Sequence, residues 1–426
     1  MIRPCLPESA GPALRLLVQV LVLGLVGALP ACLDDTSADA KQLPAGPAGT
    51  CEPGRLLAVV GSDFQSSALS FVDLEAMKAT SSAIVHSGSV VGAGGGALSG
   101  DVVLGSAAPC RPVLVDRARA VLTSILPGDG TAPAIGVQRN VSSGFYANPQ
   151  DAAAWGDKLV VTRAQAHPDS PKLGGDDVLI VDLADPATRV RVPLGQHSTL
   201  PAAPAFGGRV AVANDLAFIP LASVSKTFDK MGSGRVAVVD LPAAAVIATI
   251  DRPAKTHIGN CTTARHFAAQ DRVVVVCSGL LKAKTMTEGV ASAGAVLWLT
   301  KDGIKGTATL DSTTRPFGPV ACDADRCWTI GLGDGATSKA DSVWELKKDG
   351  GSDAKGAGKV IYKATGPFMT HSLFFDAKRE RLWIADAGQK GGDLVVLSCP
   401  RAKPCTTLAT VSSNPGGLPA TAIEGL

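Results

Sequence analysis

The residue types that carry out most acid–base chemistry are scattered in this sequence. Each of the six histidines stands alone, and no GxSxG, HExxH, P-loop, CxxCH or Asp-rich calcium-loop motif is present. We therefore assign no catalytic residue, no metal ligand and no cofactor. Five polar residues are candidates for a ligand-binding site in a channel or at its rim: His197, His257, Asn260, Arg315 and His371. The alternative is that they are structural groups, satisfied by the backbone or by water.

The cysteines are the second reactive set. Cys5 and Cys32 belong to the N-terminal segment, and an even number remains: Cys51, Cys110, Cys261, Cys277, Cys322, Cys327, Cys399 and Cys405. An even set of this kind favours disulfide bonds in an exported protein. Zinc binding is the alternative, but no CxxC pair occurs and no histidine follows these cysteines at ligand spacing.

The N-terminal segment predicts export. Arg3 and Arg15 precede an apolar run over residues 16–29, which is too short for a membrane-spanning anchor. The run ends in Leu29-Pro30-Ala31-Cys32, which resembles the lipobox of bacterial lipoproteins, although proline is unusual there. The resemblance implies cleavage before the cysteine and diacylation of its thiol.

Residues 1–31 are therefore predicted to be a lipoprotein signal peptide, and residues 32–50 a flexible tether. Cys32 would anchor the protein to a membrane through its acyl chains. Secretion after the same cleavage, without a lipid, is the alternative. Leu33 rather than aspartate follows the cysteine, and by resemblance to enterobacterial sorting we expect the outer membrane, on its periplasmic or surface side.

A repeat organises the rest of the chain. A turn acid followed by an apolar run recurs at steps of 58, 56, 54 and 55 residues. The runs begin at Asp157, Asp215, Asp271, Asp325 and Glu380. Each unit contains short segments rich in Val, Ile and Ala between Gly, Pro, Asn and Asp, which is typical of strands and turns. Units of this length with four strands predict a β-propeller.

We predict an all-β fold over residues 51–426, with seven four-stranded antiparallel blades. The first unit begins at Arg55 without an innermost strand, and Ala420–Glu424 has the form of one. We therefore expect the C-terminal strand to complete the first blade and close the ring, because an open ring would expose a strand edge. The glycine-rich residues 88–108 are expected to be a linker, and the second blade to begin at Pro112.

The repeat also predicts the cysteine pairs. Three pairs flank hairpin turns and should face each other across two strands: Cys261 with Cys277, Cys322 with Cys327, and Cys399 with Cys405. Elimination leaves Cys51 with Cys110.

Composition restricts the partners. The chain is 46% hydrophobic and only 18% charged, with a formal net charge of +2 and no Lys/Arg cluster. Nucleic-acid binding needs a concentrated basic surface, so we expect no nucleic-acid partner. We expect a monomer.

Two segments, Arg235–Arg252 and Arg381–Leu397, resemble the YVTN-type, or lactonase-like, repeats of bacterial β-propellers. The resemblance covers most of residues 51–426, although the YVTN tetrapeptide is absent. The Gly-Trp signature of quinoprotein blades is also missing, which argues against a pyrroloquinoline cofactor. Lactonase-like enzymes work from the central channel, which the first strands of the blades tend to approach.

Three functional hypotheses follow. The first is a lipid-anchored, non-enzymatic propeller that binds a protein or glycan of the cell envelope, using the long loops between second and third strands. The second is a lactonase-like hydrolase, which requires acid, His and Arg side chains to meet in the channel. The third is an envelope-assembly scaffold with an exposed strand edge, resembling the barrel-assembly lipoproteins. The first is favoured because it requires no missing chemistry.

Overall fold

The computed structural model describes residues 54–426 except 88–97, 106–111, 127–133, 171–173, 183–184, 186–187, 202, 226–230, 254–255, 257, 280–293, 311–313, 336, 349–357, 390–392 and 414–416. The strands form seven antiparallel sheets, which confirms the predicted all-β propeller with seven blades. Each sheet has four strands, apart from the fourth, in which the innermost strand is divided in two.

The strands of the first four blades are given from the channel outward. The first blade contains β29 (Ala420–Gly425), β1 (Leu56–Ser62), β2 (Ser67–Asp73) and β3 (Lys78–His86). The second contains β4 (Val102–Leu104), β5 (Val113–Asp116), β6 (Val121–Leu126) and β7 (Ala134–Asn140). The third contains β8 (Pro149–Trp155), β9 (Lys158–Ala164), β10 (Asp176–Asp182) and β11 (Arg189–Pro193). The fourth contains β12 (Ala205–Gly207) and β13 (Ala211–Ala213), then β14 (Leu216–Ser223), β15 (Arg235–Asp240) and β16 (Ala245–Asp251).

The last three blades are regular. The fifth contains β17 (Cys261–Phe267), β18 (Arg272–Cys277), β19 (Ala295–Thr300) and β20 (Gly303–Ala308). The sixth contains β21 (Arg315–Cys322), β22 (Arg326–Leu332), β23 (Ser342–Lys347) and β24 (Gly358–Lys363). The seventh contains β25 (Thr370–Asp376), β26 (Arg381–Asp386), β27 (Leu394–Ser398) and β28 (Thr406–Val411). Among the described connections, short 3₁₀ helices lie at Gly195–His197 and Ala268–Gln270.

The C-terminal strand closes the ring as predicted. β29 pairs antiparallel with β1, so that Ile423 lies opposite Val59 and Ala422 opposite Val60. The Gly54 N–H also donates a hydrogen bond to the Leu426 carbonyl oxygen. The two ends of the propeller are therefore held in one blade, and closure pairs the inner edge of β1.

The prediction that residues 88–108 form a linker was wrong in one respect. Val102–Leu104 forms β4, the innermost strand of the second blade, and it pairs with β5 from Val102 opposite Asp116 to Leu104 opposite Leu114. The side chains of Val102 and Leu104 are buried in the core between the first two blades. A strand of three residues after a glycine-rich segment has too little periodicity to be recognised from sequence.

The hydrophobic core lies between neighbouring blades. Ala153 and Val160 of the third blade pack with Ile219 and Val239 of the fourth, in one continuous cluster. Later interfaces are filled by large aromatic side chains, among them the fully buried Trp298. Burying apolar side chains in this way is the main stabilising term, about 1.5–3 kcal/mol for each large aliphatic or aromatic residue.

Alternating strand direction divides the connections between two faces of the ring. The hairpin face carries the connections from first to second and from third to fourth strands, such as the turn at residues 156–157. The insertion face carries the connections from second to third strands and those between blades, such as residues 63–66 and residues 141–148. Gly54 and Leu426 lie on the hairpin face, where β1 begins and β29 ends.

Candidate functional site: the channel and the insertion face

An ion pair spans the central channel between blades that are not neighbours. Arg265 lies on β17 of the fifth blade, and Glu424 lies on β29 of the first. The Arg265 guanidinium donates to both carboxylate oxygens, with distances of 3.1 Å from Nη1 to Oε2 and 2.5 Å from Nη2 to Oε1. The side chains are 24% and 12% exposed. This forked geometry is the strong form of a charge-assisted hydrogen bond, and it ties the closing strand to the far side of the ring.

A second arginine links four blades near the axis. Arg209 follows β12, and its Nη2 donates to the Leu104 carbonyl oxygen of the second blade. Its Nε lies 3.9 Å from Oδ1 of Asp151 in the third blade. Its backbone N–H donates to the Thr262 carbonyl oxygen at 2.8 Å, and its own carbonyl oxygen accepts from Ala264 N–H at 2.9 Å, both in the fifth blade. Arg209 of the fourth blade therefore contacts the second, third and fifth blades near the channel axis.

Asp151 is fully buried beside this arginine. Its Oδ2 accepts the backbone N–H of Val210 at 3.0 Å, and its Oδ1 has no hydrogen-bond partner within the described residues. Burial raises the pKa of Asp151 to about 6, while Arg209 opposes the shift. A carboxyl group without solvent access cannot reach a substrate in this conformation. The role that the structure shows for Asp151 is to hold the third blade against the fourth by accepting the Val210 N–H.

A repeated backbone irregularity explains where these side chains point. Several innermost strands skip one residue in their pairing with the second strand, at Gln150, Thr262, His371 and Thr421. The residue after the skip reaches the next blade, as Asp151 does and as Ser372 does when its Oγ accepts the Ile423 N–H at 3.2 Å. Arg265 and Glu424 each lie three residues beyond the skipped position and so meet at one level.

His197 and Asn260, two of the predicted candidates, have structural surroundings. His197 ends a 3₁₀ helix, and its carbonyl oxygen accepts from Arg235 Nη1 at 3.1 Å. Burial, with Arg235, lowers the pKa of its imidazole. Asn260 has a left-handed backbone (φ 50°), and its Nδ2 donates to Ser278 Oγ at 2.8 Å and to the Gly279 carbonyl oxygen at 2.9 Å. Asn260 therefore fastens the start of β17 to the end of β18.

Arg315 and His371 lie on the innermost strands of the sixth and seventh blades. Burial lowers the pKa of both, and for His371 the carboxylates of Asp341 and Asp386 oppose the shift. His197, Asn260 and His371 make no hydrogen bonds with one another within the described residues. His257, the remaining candidate, lies outside the described residues. His197, Asn260 and His371 therefore do not form one hydrogen-bonded cluster.

The two acids near His371 already have partners. Asp341 accepts the N–H groups of Gly333 at 2.7 Å, Met369 at 2.7 Å and Thr370 at 2.9 Å. Asp386 Oδ2 accepts the Tyr362 hydroxyl at 2.5 Å. Burial, with this hydrogen bond to Asp386, raises the pKa of Tyr362. These fully buried acids hold the start of β25 and the Tyr362 hydroxyl in place, and sequence analysis did not identify them.

Acids near the start of third strands accept hydrogen bonds or form ion pairs on this face in several blades. Asp341 precedes β23, and Asp393 precedes β27, where it accepts Ser413 N–H at 2.8 Å and Ser413 Oγ–H at 2.6 Å. In the third blade, Asp177 forms a bidentate ion pair with the fully buried Arg163, with both N–O distances 2.7 Å. An acid just before the third strand, or within its first two residues, is a sequence signal that could have located these anchors.

Three of the predicted disulfide bonds are present, and they join Cys261 with Cys277, Cys322 with Cys327, and Cys399 with Cys405. Cys32, Cys51 and Cys110 lie outside the described residues. Disulfide bonds indicate an oxidising, exported location. No helix in the described part of the chain is long and apolar enough to span a membrane. Over the same residues, no group of three or more His, Cys, Asp or Glu is arranged to hold a metal ion.

Comparison with known proteins shows the fold. No protein-family model and no curated protein sequence matches this chain. The fold is shared with solved β-propellers. A hypothetical selenium-binding protein from Sulfolobus tokodaii is 10% identical with a TM-score of 0.55, covering 88% of this chain and 94% of its own. A candidate 6-phosphogluconolactonase from Bacteroides uniformis is 10% identical with a TM-score of 0.54, covering 87% and 99%.

A third structure, hydrazine synthase from Kuenenia stuttgartiensis, is 12% identical with a TM-score of 0.51, covering 84% of this chain and 98% of its own. These three proteins carry different functional descriptions. At such low identity the likeness shows the fold alone, because one propeller scaffold supports many activities.

Proposed function

We propose that the protein is an exported, lipid-tethered and non-enzymatic propeller whose insertion face binds a protein or glycan of the cell envelope. The observation that carries this proposal is the asymmetry of the two faces. The described chain enters the ring on the hairpin face at Gly54, which is held by the Leu426 carbonyl oxygen and by Arg379, whose Nη1 donates to the Gly54 carbonyl oxygen at 3.0 Å. A tether over residues 32–50 would therefore attach to the hairpin face.

The insertion face would then be the surface left open to a partner. Where its connections are described, buried pairs hold the strand ends from which they emerge, such as Arg163 of β9 with Asp177 of β10. Loops on a rigid scaffold are the usual carriers of binding function. Anchorage at the outer membrane through Cys32 is part of this proposal.

The lactonase-like alternative receives less support. Acid and arginine side chains meet in the channel, which is part of what that hypothesis requires, since it also calls for a histidine. However, Arg265 and Glu424 saturate each other, and Asp151 has no exposed surface. General acid–base catalysis needs a group within hydrogen-bond reach of a bound substrate. The fold that this chain shares with a candidate lactonase does not identify a catalytic site in it.

Oriented immobilisation tests the proposal. The Cys32→Ser protein would carry a clickable residue either at Asp302, in a turn on the hairpin face, or at Asp169, exposed on the insertion face. Beads coupled through each position would be incubated with solubilised envelope proteins and, separately, with envelope polysaccharide. We expect one of these two ligand classes to be retained by the Asp302-coupled beads and lost from the Asp169-coupled beads. Equal retention in both orientations would contradict a binding site on the insertion face.

A further inference from the structure

Aromatic side chains are rare in this chain, and three of them lie in connections of the insertion face that flank the second blade. Only 4% of the residues are aromatic, and Tyr146 is one of two tyrosines. Phe64 belongs to the connection from β1 to β2 in the first blade. Phe145 and Tyr146 belong to the connection from β7 to β8, which leads into the third blade. All three residues retain exposed surface.

Phe64 is held at the surface by its backbone. It is 44% exposed, and its φ of 66° lies in the left-handed region, which a phenylalanine rarely adopts. Its N–H donates to Ser62 Oγ at 2.9 Å, and the Ser62 hydroxyl donates to the Gly100 carbonyl oxygen at 2.7 Å. A side chain at Gly100 would collide with the Phe64 backbone, so this glycine lets the second blade approach the turn. An exposed aromatic residue kept in an unfavourable backbone conformation is typical of a functional position.

A partly exposed ion pair lies beside this turn. Asp101 follows Gly100 directly, and its Oδ1 accepts from Arg117 Nε at 2.8 Å and from Arg117 Nη2. The Arg117 N–H also donates to the Asp101 carbonyl oxygen at 2.9 Å, so backbone and side chains fix the pair together. The side chains are 29% and 24% exposed for Asp101 and Arg117, respectively. Within the described residues, Asp101 Oδ2 and Arg117 Nη1 form no hydrogen bond.

Tyr146 brings a hydroxyl group to the same ion pair. Its connection, residues 141–148, crosses the junction of the second and third blades, where Val141 is buried in the shared core. Burial and the charge of Asp101 raise the pKa of the Tyr146 hydroxyl to about 12, and Arg117 opposes the shift. Both charges therefore lie close enough to act on this hydroxyl. The hydroxyl itself forms no hydrogen bond within the part of the chain that the structure describes.

Phe145 and His167 continue this surface over the third blade. Their rings meet edge to face, with centroids 4.6 Å apart. His167 Nδ1 accepts the N–H groups of Asp169 and Ser170, both at 3.2 Å, so its proton lies on Nε2. These bonds fix the orientation of the imidazole, which in turn supports the Phe145 ring. The surface thus combines aromatic rings with polar groups that the described residues leave unused.

We propose that this part of the insertion face is a binding site for an uncharged pyranose glycan. The glycan site consists of three aromatic residues and one ion pair, namely Phe64, Phe145, Tyr146, Asp101 and Arg117. A pyranose ring has an apolar C–H face, which stacks on an aromatic ring, and hydroxyl groups that both donate and accept. This inference rests on the proposed function of the insertion face and selects the glycan from its two ligand classes.

The ion pair is the feature that favours a sugar over a protein. One hydroxyl of a vicinal pair can donate to the Asp101 carboxylate while its neighbour accepts from the Arg117 guanidinium. The two charges cancel, so the ligand needs no charge of its own. A protein partner would have to cover both charges with matched groups, because an unmatched buried charge is costly.

Isothermal titration calorimetry tests the site with defined neutral oligosaccharides. Chitohexaose, maltohexaose and mannohexaose would each be titrated against the oxidised protein at up to about 10 mM, and we expect at least one to bind. Tyr146→Phe should weaken that binding about three- to tenfold, because one hydrogen bond is lost. Phe64→Asn should weaken it at least about tenfold, because the stacking ring is lost. Asparagine tolerates a left-handed backbone, so this variant should fold.

Tyr362→Phe is the matched control for the tyrosine variant. The Tyr362 hydroxyl donates to Asp386 at 2.5 Å, so its removal should lower the melting temperature and leave oligosaccharide affinity within about twofold. Tyr146→Phe should show the reverse, with unchanged melting. The glycan site would be overturned if none of the three oligosaccharides bound, or if Tyr146→Phe and Phe64→Asn bound as tightly as the parent. Binding of anionic polysaccharide alone, lost in high salt, would overturn it as well.

The oriented beads separate this inference from the proposed function. Retention of a protein without any polysaccharide on the Asp302-coupled beads would overturn the glycan site and leave the insertion face as the binding surface. Equal retention in both orientations would overturn both.

Discussion

The ion pair across the channel allows a quantitative test of how the ring is closed. Arg265 belongs to the fifth blade, and Glu424 belongs to the strand that completes the first. Their side chains are only 24% and 12% exposed, respectively. The variants Arg265→Met and Glu424→Gln each remove one charge while keeping most of the side-chain volume. If the pair holds the closing strand, the two substitutions must be strongly non-additive.

The magnitude follows from the geometry. Two unit charges about 4 Å apart attract by about 4 kcal/mol at an effective dielectric of 20. Desolvation of a partly buried pair offsets much of this attraction, so we expect a coupling free energy of about 1–3 kcal/mol. Each single variant should lose about 2 kcal/mol of unfolding free energy, because it leaves the other charge without its partner.

The assay is a double-mutant cycle on chemical denaturation of the oxidised protein, in low and in high salt. The pair of Lys301 with Asp302 in a turn on the hairpin face, whose side chains are 69% and 63% exposed, is the exposed control, and its coupling should stay below about 0.5 kcal/mol. The channel coupling should persist in salt better than the control, since buried pairs are screened less. Additivity of Arg265→Met and Glu424→Gln within about 0.5 kcal/mol would refute the cross-channel role.

Three further predictions follow from the same structure. Deletion of residues 417–426 should lower the unfolding free energy by several kcal/mol in denaturant titrations, because buried residues of β29 and the pairing with β1 are lost. Deletion of residues 34–43 is the control and should leave the unfolding free energy unchanged. Because the pKa of Asp151 is raised to about 6 in the fold, the stability it contributes when protonated is lost as pH rises from about 4 to about 6. Asp151→Asn should therefore gain stability relative to the parent between pH 4 and pH 7.5, by up to about 3 kcal/mol in pH-dependent melts, and a pH-independent difference would contradict the shift. Cys32→Ser should abolish incorporation of labelled palmitate and release the protein from the membrane fraction, and continued labelling would exclude this anchor.

Sequence patterns predicted the blades because strands and turns leave a local, periodic signal. The repeated turn acids and apolar runs located most blades, and the fragment at Ala420 identified the closing strand. Three of the four predicted disulfide pairs followed from hairpin symmetry for the same reason and are present. β4 was missed because three residues carry no usable period, and its burial depends on first-blade residues such as Ala58 and Ala422, which are remote in sequence.

The channel cluster could not be predicted in the same way. Its members come from blades that are far apart in sequence, and three of them, Asp151, Arg265 and Glu424, lie one or three residues beyond a skipped residue in the strand pairing. Nothing local in the sequence distinguishes Arg265 or Glu424 from a surface charge. The predicted histidines were chosen by position along the first strands, but side-chain direction there depends on the bulge.

Photo-crosslinking in intact cells tests the central claim most directly. A photo-reactive residue would replace Gln65 or Asp169, which are exposed on the insertion face, or Asp302, which is exposed on the hairpin face. The proposed function predicts discrete covalent adducts, identified by mass spectrometry, from the two insertion-face positions and none from Asp302. Adducts that form only from Asp302 would contradict the assignment of the insertion face as the binding surface.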